Sequence, residues 1–123
     1  MGSEGLHEEA ALLSPDTIDR HRAIVSLMEE LEAIDWYDQR VSATSDDGLA
    51  AVLAHNRDEE KEHAAMTLEW LRRRDPVLDR MLRLYLFTDA PVTEIEDTNP
   101  DVESDERGDL SLGVGGLRDK GGL

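Results

Sequence analysis

Two long amphipathic segments, joined by one short polar turn, are the feature that most limits the fold of this chain. In the first, apolar residues recur at spacings of three and four, as on one face of a helix; they are Ile18, Val25, Met28, Leu31, Ile34 and Val41. The second repeats the pattern with Leu49, Val52, Leu53, Ala64, Met66, Leu68 and Leu71. Each segment predicts a helix with one apolar stripe, and the pair indicates an all-α fold.

Helix boundaries are marked by local signals. Ser14, Pro15 and Asp16 supply an N-cap residue, a proline at the first helical position and an acid in the first turn, so the first helix is predicted from Pro15 to about Val41. Residues 42–48 carry turn chemistry and predict an antiparallel connection.

The second helix is expected to begin near Asp46 or Asp47 and to end before Pro76, because proline cannot continue a helix. A shorter third helix is predicted from about Val77 to Phe87. Together these elements predict two long antiparallel helices and a short third one, which form a four-helix bundle only by dimerisation.

The domain limits follow from composition. Residues 1–14 are expected to form a flexible N-terminus, residues 15–88 the helical domain, and residues 89–123 a flexible acidic tail rich in Asp, Glu, Gly and Pro. An ordered part of about 70 residues is marginal for a single core, so a second copy is expected to cover the apolar faces.

Charge and composition exclude several classes of protein. The 29 acidic and 13 basic residues give a formal charge of -16, which repels nucleic acid and anionic lipid and attracts cations. With no cysteine, a disulfide scaffold, a zinc-thiolate site and a thiol nucleophile are excluded. The sequence has neither a signal-peptide pattern nor the roughly 20-residue apolar run that spans a membrane, which predicts a cytoplasmic protein.

Glu60 and His63 form a Glu-x-x-His pair midway along the second helix. Residues three apart lie on one helix face with Cβ atoms about 5–6 Å apart, close enough to share one metal ion. Alone the pair is a weak signal, since Glu4 and His7 repeat it in a segment without helical periodicity. Its position on an amphipathic helix makes the later pair the better candidate.

On the first helix, Glu30 lies on the inward stripe with Tyr37, seven residues further on. A carboxylate among core residues is costly unless it is paired, protonated or bound to a cation. Di-iron carboxylate bundles use one Glu from each of two helices and Glu-x-x-His from each of the other two, so this chain contains half of that ligand set. A two-fold axis through the middle of the site would double Glu30, Glu60 and His63 to four carboxylates and two imidazoles, the complete set.

The donor types favour iron or manganese, with zinc as a possible substitute, because carboxylates and a few imidazoles without thiolates suit such ions. Two alternatives stay open: a di-iron or manganese peroxidase or catalase-like bundle, and a non-catalytic helical assembly module whose inward polar residues fix register.

Beside Glu30, three residues at spacings of three and four form a candidate outer site: Glu29, Glu32 and Trp36. Doubled by symmetry, the carboxylates would attract divalent cations, although a solvated helix face is an equally simple interpretation. Tyr37 is a candidate hydrogen-bond donor or redox-active neighbour, or else a core residue.

Segments 28–40 and 55–66 resemble the encapsulated ferritins of bacteria, and the similarity extends over about residues 20–95. The resemblance implies a ferritin-like four-helix bundle formed by dimerisation. It also implies a ferroxidase that oxidises Fe(II) to Fe(III) with O2 at a di-iron centre shared by the two chains. It implies ligands at Glu30, Glu60 and His63 with Tyr37 beside them, an outer metal site at Glu29, Glu32 and Trp36, and dimers assembled into a decameric ring.

Residues 109–119 are similar to the peptides that load cargo into encapsulin shells. They form a short apolar motif on an acidic tether, as expected of a segment that folds into a groove on a partner, or else a disordered glycine-rich end. The resemblance implies a location inside an encapsulin nanocompartment, where the oxidised iron is stored as mineral.

Overall fold

The computed structural model of the chain describes residues 5–96, and over that range the chain is helical without strands. Three α-helices follow one another: α1 (Pro15–Ala43), α2 (Asp47–Arg74) and α3 (Pro76–Tyr85). Single turns of 3-10 helix lie at Ala10–Leu12 and Val92–Glu94. The predicted all-α class is confirmed, whereas residues 109–119 lie outside the described part of the chain. None of the three helices has the length and apolar character needed to cross a bilayer.

The start of α1 follows the sequence signals closely. The Ser14 hydroxyl oxygen accepts a hydrogen bond of 3.1 Å from the Thr17 N–H, and Pro15 occupies the first helical turn. The helix continues to Ala43, two residues beyond the predicted end, because Ser and Ala are tolerated in a last turn. Thr44 ends it in an extended conformation, with its N–H bonded to the Arg40 carbonyl at 3.1 Å.

Only residues 44–46 connect α1 to α2. The Asp46 N–H donates to Thr44 Oγ1 at 3.1 Å, and Asp46 Oδ1 accepts from the Leu49 N–H at 2.8 Å, which fixes the first turn of α2. The helices run antiparallel, as shown by two cross-helix contacts in which Asp38 meets Arg57 and Glu30 meets Thr67.

The chain divides into two compact units between Leu71 and Arg72. In the second unit, Asp75 caps α3 because its Oδ1 accepts from the Val77 and Leu78 N–H groups at 3.1 and 3.0 Å. Pro76 was expected only to end the second helix, but it also begins α3. A proline fits there because the first helical N–H has no partner within a helix.

Helix α3 ends at Tyr85 rather than at the predicted Phe87. Phe87 has a φ of 63°, a left-handed conformation that side chains other than glycine rarely adopt, and it is fully exposed. The Thr88 hydroxyl closes the helix end by donating to the Tyr85 carbonyl at 2.7 Å. Ile95, in the segment assigned to the tail, is buried; one apolar residue in a polar segment produces no periodic signal.

In the first unit, Ala64 and Leu71 are the buried apolar residues among those described. Large apolar side chains of both helices remain exposed: Ile24, Leu31, Leu49, Val52 and Met66. Three of them share the stripe of His63 on α2, since Leu49, Val52 and Met66 are separated from it by 14, 11 and three residues. A single chain therefore leaves apolar surface beside the candidate ligands uncovered.

Candidate metal centre

Glu30 lies midway along α1, with its carboxylate directed at α2. Its Oε2 accepts a hydrogen bond of 3.3 Å from the Thr67 hydroxyl. Its Oε1 is buried and has no hydrogen-bond partner among residues 5–96. Buried polar atoms are nearly always paired, so an orphaned carboxylate oxygen marks a position where a cation or a donor from another molecule is expected.

Glu60 and His63 lie one turn apart on α2, as predicted. His63 Nδ1 is 3.4 Å from Glu60 Oε1, and the side chains are 46% and 27% exposed respectively. Both are thus accessible at the surface of one chain, on the helix that also contacts Glu30 through Thr67. Two oxygens and an imidazole of this kind suit a hard or borderline divalent cation.

Tyr37 lies two turns beyond Glu30 on α1 and is half-buried. The Arg40 guanidinium carbon is 5.6 Å from the centre of the Tyr37 ring, within the range of a cation–π contact. This contact restricts the ring and places a positive charge against its face.

Glu29 and Glu32 are exposed on α1, and Trp36 is half exposed. An indole with this much exposed surface is unusual in a folded chain unless a partner or ligand covers it. The structure therefore leaves the predicted outer site open to solvent, with no contact that assigns it a role.

Within one chain, no group of three or more His, Cys, Asp or Glu side chains in residues 5–96 is arranged to hold a metal ion. The structure brings Glu60 to His63 and Glu30 to the turn of α2 between His63 and Thr67. It leaves Glu29, Glu32 and Trp36 apart from them on the exposed side of α1. The ligand assignment remains a prediction from the sequence.

Arg57 forms an ion pair between the two long helices. Its Nη1 donates to Asp38 Oδ1 at 2.9 Å and its Nε to Asp58 Oδ1 at 3.1 Å. The hydrogen bonds that Arg57 donates to Asp58 and Asp38 raise the pKa of Arg57, and the one to Asp58 lowers the pKa of that carboxyl. A second cation, Lys61, lies near the same carboxylate, with its Nζ 3.4 Å from Asp58 Oδ1.

Two residues of this region had no role assigned from the sequence. Neither Thr67 nor Arg57 was singled out as a site residue. The spacing of 37 residues between Thr67 and Glu30 carries no periodic signal, so only the packed helix pair reveals the contact. His55 forms an exposed local pair with Glu59, with His55 Nε2 3.1 Å from Glu59 Oε2.

The chain is similar to several known proteins. The EncFtn-like family model matches residues 5–89. An encapsulated ferritin-like protein of Rhodospirillum rubrum is 54% identical over 132 aligned positions, which cover 100% of this chain and 94% of that protein. A ferritin-like protein of Thermotoga maritima is 51% identical, covering 86% of this chain and 93% of the relative.

Two further matches bear on the cargo and fold predictions. An encapsulin nanocompartment cargo protein of Myxococcus xanthus is 40% identical over 52 residues, which are 42% of this chain and 40% of the relative. A crystal structure of a Nitrosomonas europaea protein superposes with a TM-score of 0.69 at 62% identity, covering 71% of this chain and 96% of that structure.

Proposed function

The chain belongs to the EncFtn-like family, and from that premise we propose that it is a ferroxidase whose site is completed by a second copy. Each copy contributes Glu30, Glu60 and His63, and the two-fold axis doubles them to four carboxylates and two imidazoles. Ferrous iron and dioxygen are the substrates. This expectation of a shared centre accords with the incomplete ligand set of one chain.

The observation that carries the proposal is the buried, unpartnered Oε1 of Glu30. A carboxylate fixed on one oxygen by Thr67 and left unpaired on the other is disfavoured unless it is paired, protonated or bound to a cation, and a cation is the option that also uses Glu60 and His63. The exposed apolar side chains Leu49, Val52 and Met66 lie on the same stripe of α2 as His63 and offer the surface on which a second copy would pack.

In the proposed reaction, two ferrous ions would supply one electron each to one dioxygen, which with two protons would give hydrogen peroxide and two ferric ions. Glu30 and Glu60 bind and neutralise the cations, and His63 contributes its neutral imidazole. Tyr37 keeps a phenol beside the site, with its ring oriented by Arg40. Glu29, Glu32 and Trp36 form the outer site that raises the local concentration of divalent cations.

The proposal extends to storage. The family name and the Rhodospirillum rubrum relative point to an encapsulated protein, and the Myxococcus xanthus relative is named as encapsulin cargo. We place this chain inside an encapsulin nanocompartment, as dimers assembled into a decameric ring and tethered to the shell protein through residues 109–119. Deleting residues 109–123 should abolish co-purification with a co-expressed shell and leave iron oxidation intact; unchanged co-purification would refute the tether.

Iron oxidation provides the test of the enzyme. Anaerobic protein is loaded with ferrous iron and exposed to air, and ferric absorbance is followed with peroxide release. Glu30→Ala and His63→Ala should reduce the rate to that of iron in buffer. Glu62→Ala and His55→Ala remove the same side-chain types from exposed positions on α2 and should leave the rate unchanged. Rapid oxidation by Glu30→Ala would overturn the proposal, and assembly without metal binding would favour a non-catalytic helical module.

A further inference from the structure

The Thr67 hydroxyl of α2 lies between two acceptors. It is 3.3 Å from Glu30 Oε2 on α1 and 3.1 Å from the main-chain carbonyl of His63, one turn earlier on α2. A hydroxyl has one proton, so it donates to one of these acceptors at a time.

The contact with His63 is the ordinary one for a helical threonine, whose Oγ1 commonly bonds to the carbonyl four residues earlier. The contact with Glu30 is different in kind. It joins the two long helices, and it reaches a carboxylate whose other oxygen is buried and unpaired. One oxygen of Glu30 therefore has a donor from this chain, and the other is left for a ligand.

We propose that Thr67 is a positioning residue for Glu30, an inference that rests on the proposed metal centre. The Glu30 carboxylate can exchange the positions of its two oxygens by rotating about the Cγ–Cδ bond. A hydrogen bond to Oε2 stops that exchange and keeps Oε1 as the oxygen offered to the cation. Carboxylate ligands of metals are commonly fixed in this way by hydrogen-bond donors outside the ligand set.

The second acceptor gives the hydroxyl a further use. If a cation drew both oxygens of Glu30, the Thr67 hydroxyl would donate to the His63 carbonyl instead, so this donor would stay paired. The Thr67 hydroxyl therefore keeps a hydrogen bond whether Glu30 offers one oxygen or both to the cation. The same hydroxyl also ties Glu30 to the turn of α2 that carries the imidazole ligand.

Three substitutions separate this role from simple packing. Thr67→Val keeps the shape and removes the hydroxyl, and Thr67→Ser keeps the hydroxyl and removes the methyl group. Thr88→Val is the matched control, because the Thr88 hydroxyl donates only to a main-chain carbonyl, that of Tyr85. The full-length protein is titrated with zinc against a chromophoric chelator, and iron oxidation is measured across ferrous iron concentrations to obtain kcat and KM separately.

Thr67→Val should bind zinc about 10–100-fold more weakly, the usual cost of losing a group that orients a metal ligand. Thr67→Ser and Thr88→Val should stay within about threefold of the original protein. If Thr67 positions Glu30, the KM for ferrous iron should rise by a similar factor in Thr67→Val and should stay near the original value in Thr67→Ser. Equal losses in the Val and Ser variants, with lowered thermal midpoints in both, would assign Thr67 to packing and overturn the inference.

Two outcomes distinguish failure here from failure of the proposed function. If Glu30→Ala abolishes zinc binding while Thr67→Val binds as tightly as the original protein, the metal centre stands and the role of Thr67 is wrong. If Glu30→Ala itself binds zinc normally, the proposed centre is wrong, and Thr67 has no ligand to position.

Discussion

Arg57 on α2 donates a hydrogen bond of 2.9 Å to Asp38 on α1. Glu30, eight residues before Asp38 on α1, accepts a hydrogen bond from the Thr67 hydroxyl. At a rise of about 1.5 Å per residue, the two links are separated by about 12 Å along the helix pair. Two polar contacts at this separation fix the register of α1 against α2, and hence the position of Glu30 relative to Glu60 and His63.

Replacing Arg57 should loosen the helix pair. Arg57→Met should lower the thermal midpoint at pH 7, and Arg57→Lys should recover only part of the loss, because an ammonium group lacks the planar fork that bonds two carboxylates at once. Far-UV circular dichroism measures the midpoints. The control is Arg22→Met, which removes an exposed pair with Asp19 inside α1; a loss of the same size there would contradict the cross-helix role.

The lowered pKa of Asp58 gives a pH signature. The hydrogen bond from Arg57 favours the ionised carboxylate in the folded chain. The stabilisation is therefore complete above the ordinary aspartate pKa of about 3.9, and is lost as the pH falls through the lower folded value. Urea unfolding of the original protein and of Asp58→Asn should differ at pH 7 and converge in strong acid. A difference that grows on acidification would contradict this sign.

Most of the helical architecture is predictable from local signals. The N-cap at Ser14, the short turn and the three-and-four periodicity predict α1 and α2 to within about two residues. The end of α3 is not predictable in this way, because it depends on the left-handed Phe87 and the Thr88 hydroxyl. The N-cap of α3 at Asp75 was not predicted, because Pro76 was interpreted only as the residue that ends α2.

The exposed apolar stripe of α2 should be needed for dimerisation. Met66→Asp introduces a charge at a side chain that is 59% exposed in one chain, so the helix pair should fold, but the dimer should weaken roughly 100-fold, since an unpaired buried charge costs several kcal/mol. Analytical ultracentrifugation measures the change. Leu12→Asp, at a side chain that is 73% exposed before α1, should leave the dimer intact. Equal weakening by both variants would argue against this surface.

The outer acidic residues should affect the rate of iron arrival rather than its final binding. Replacing Glu29 and Glu32 together with Gln should slow the initial rate several-fold at low ionic strength, and the difference should disappear in high salt. Stopped-flow absorbance supplies the rates. Glu59 and Glu62, exposed on α2, provide a double Gln variant with the same change in charge. If that control slows oxidation equally, net charge rather than an outer site is responsible.

Only the part of the candidate site that lies on one helix was predictable from the sequence. The Glu60–His63 spacing is a local property of one helix, and the structure brings the two side chains within 3.4 Å. The placement of Glu30 depends on how α1 packs on α2, and the Thr67 contact depends on the same packing. The remaining ligands are predicted to come from a second copy. That copy was inferred only from the small ordered part of the chain and from the half set of ligands, which a two-fold axis would complete.

Native mass spectrometry of the protein, titrated with ferrous iron under anaerobic conditions, tests the central claim most directly. The shared centre predicts that iron binds in pairs to dimers and to the assemblies built from them, with two ions for every two chains and none retained by monomers. Iron held one to one by single chains, or dimers that form and stay free of iron at saturating concentrations, would contradict it.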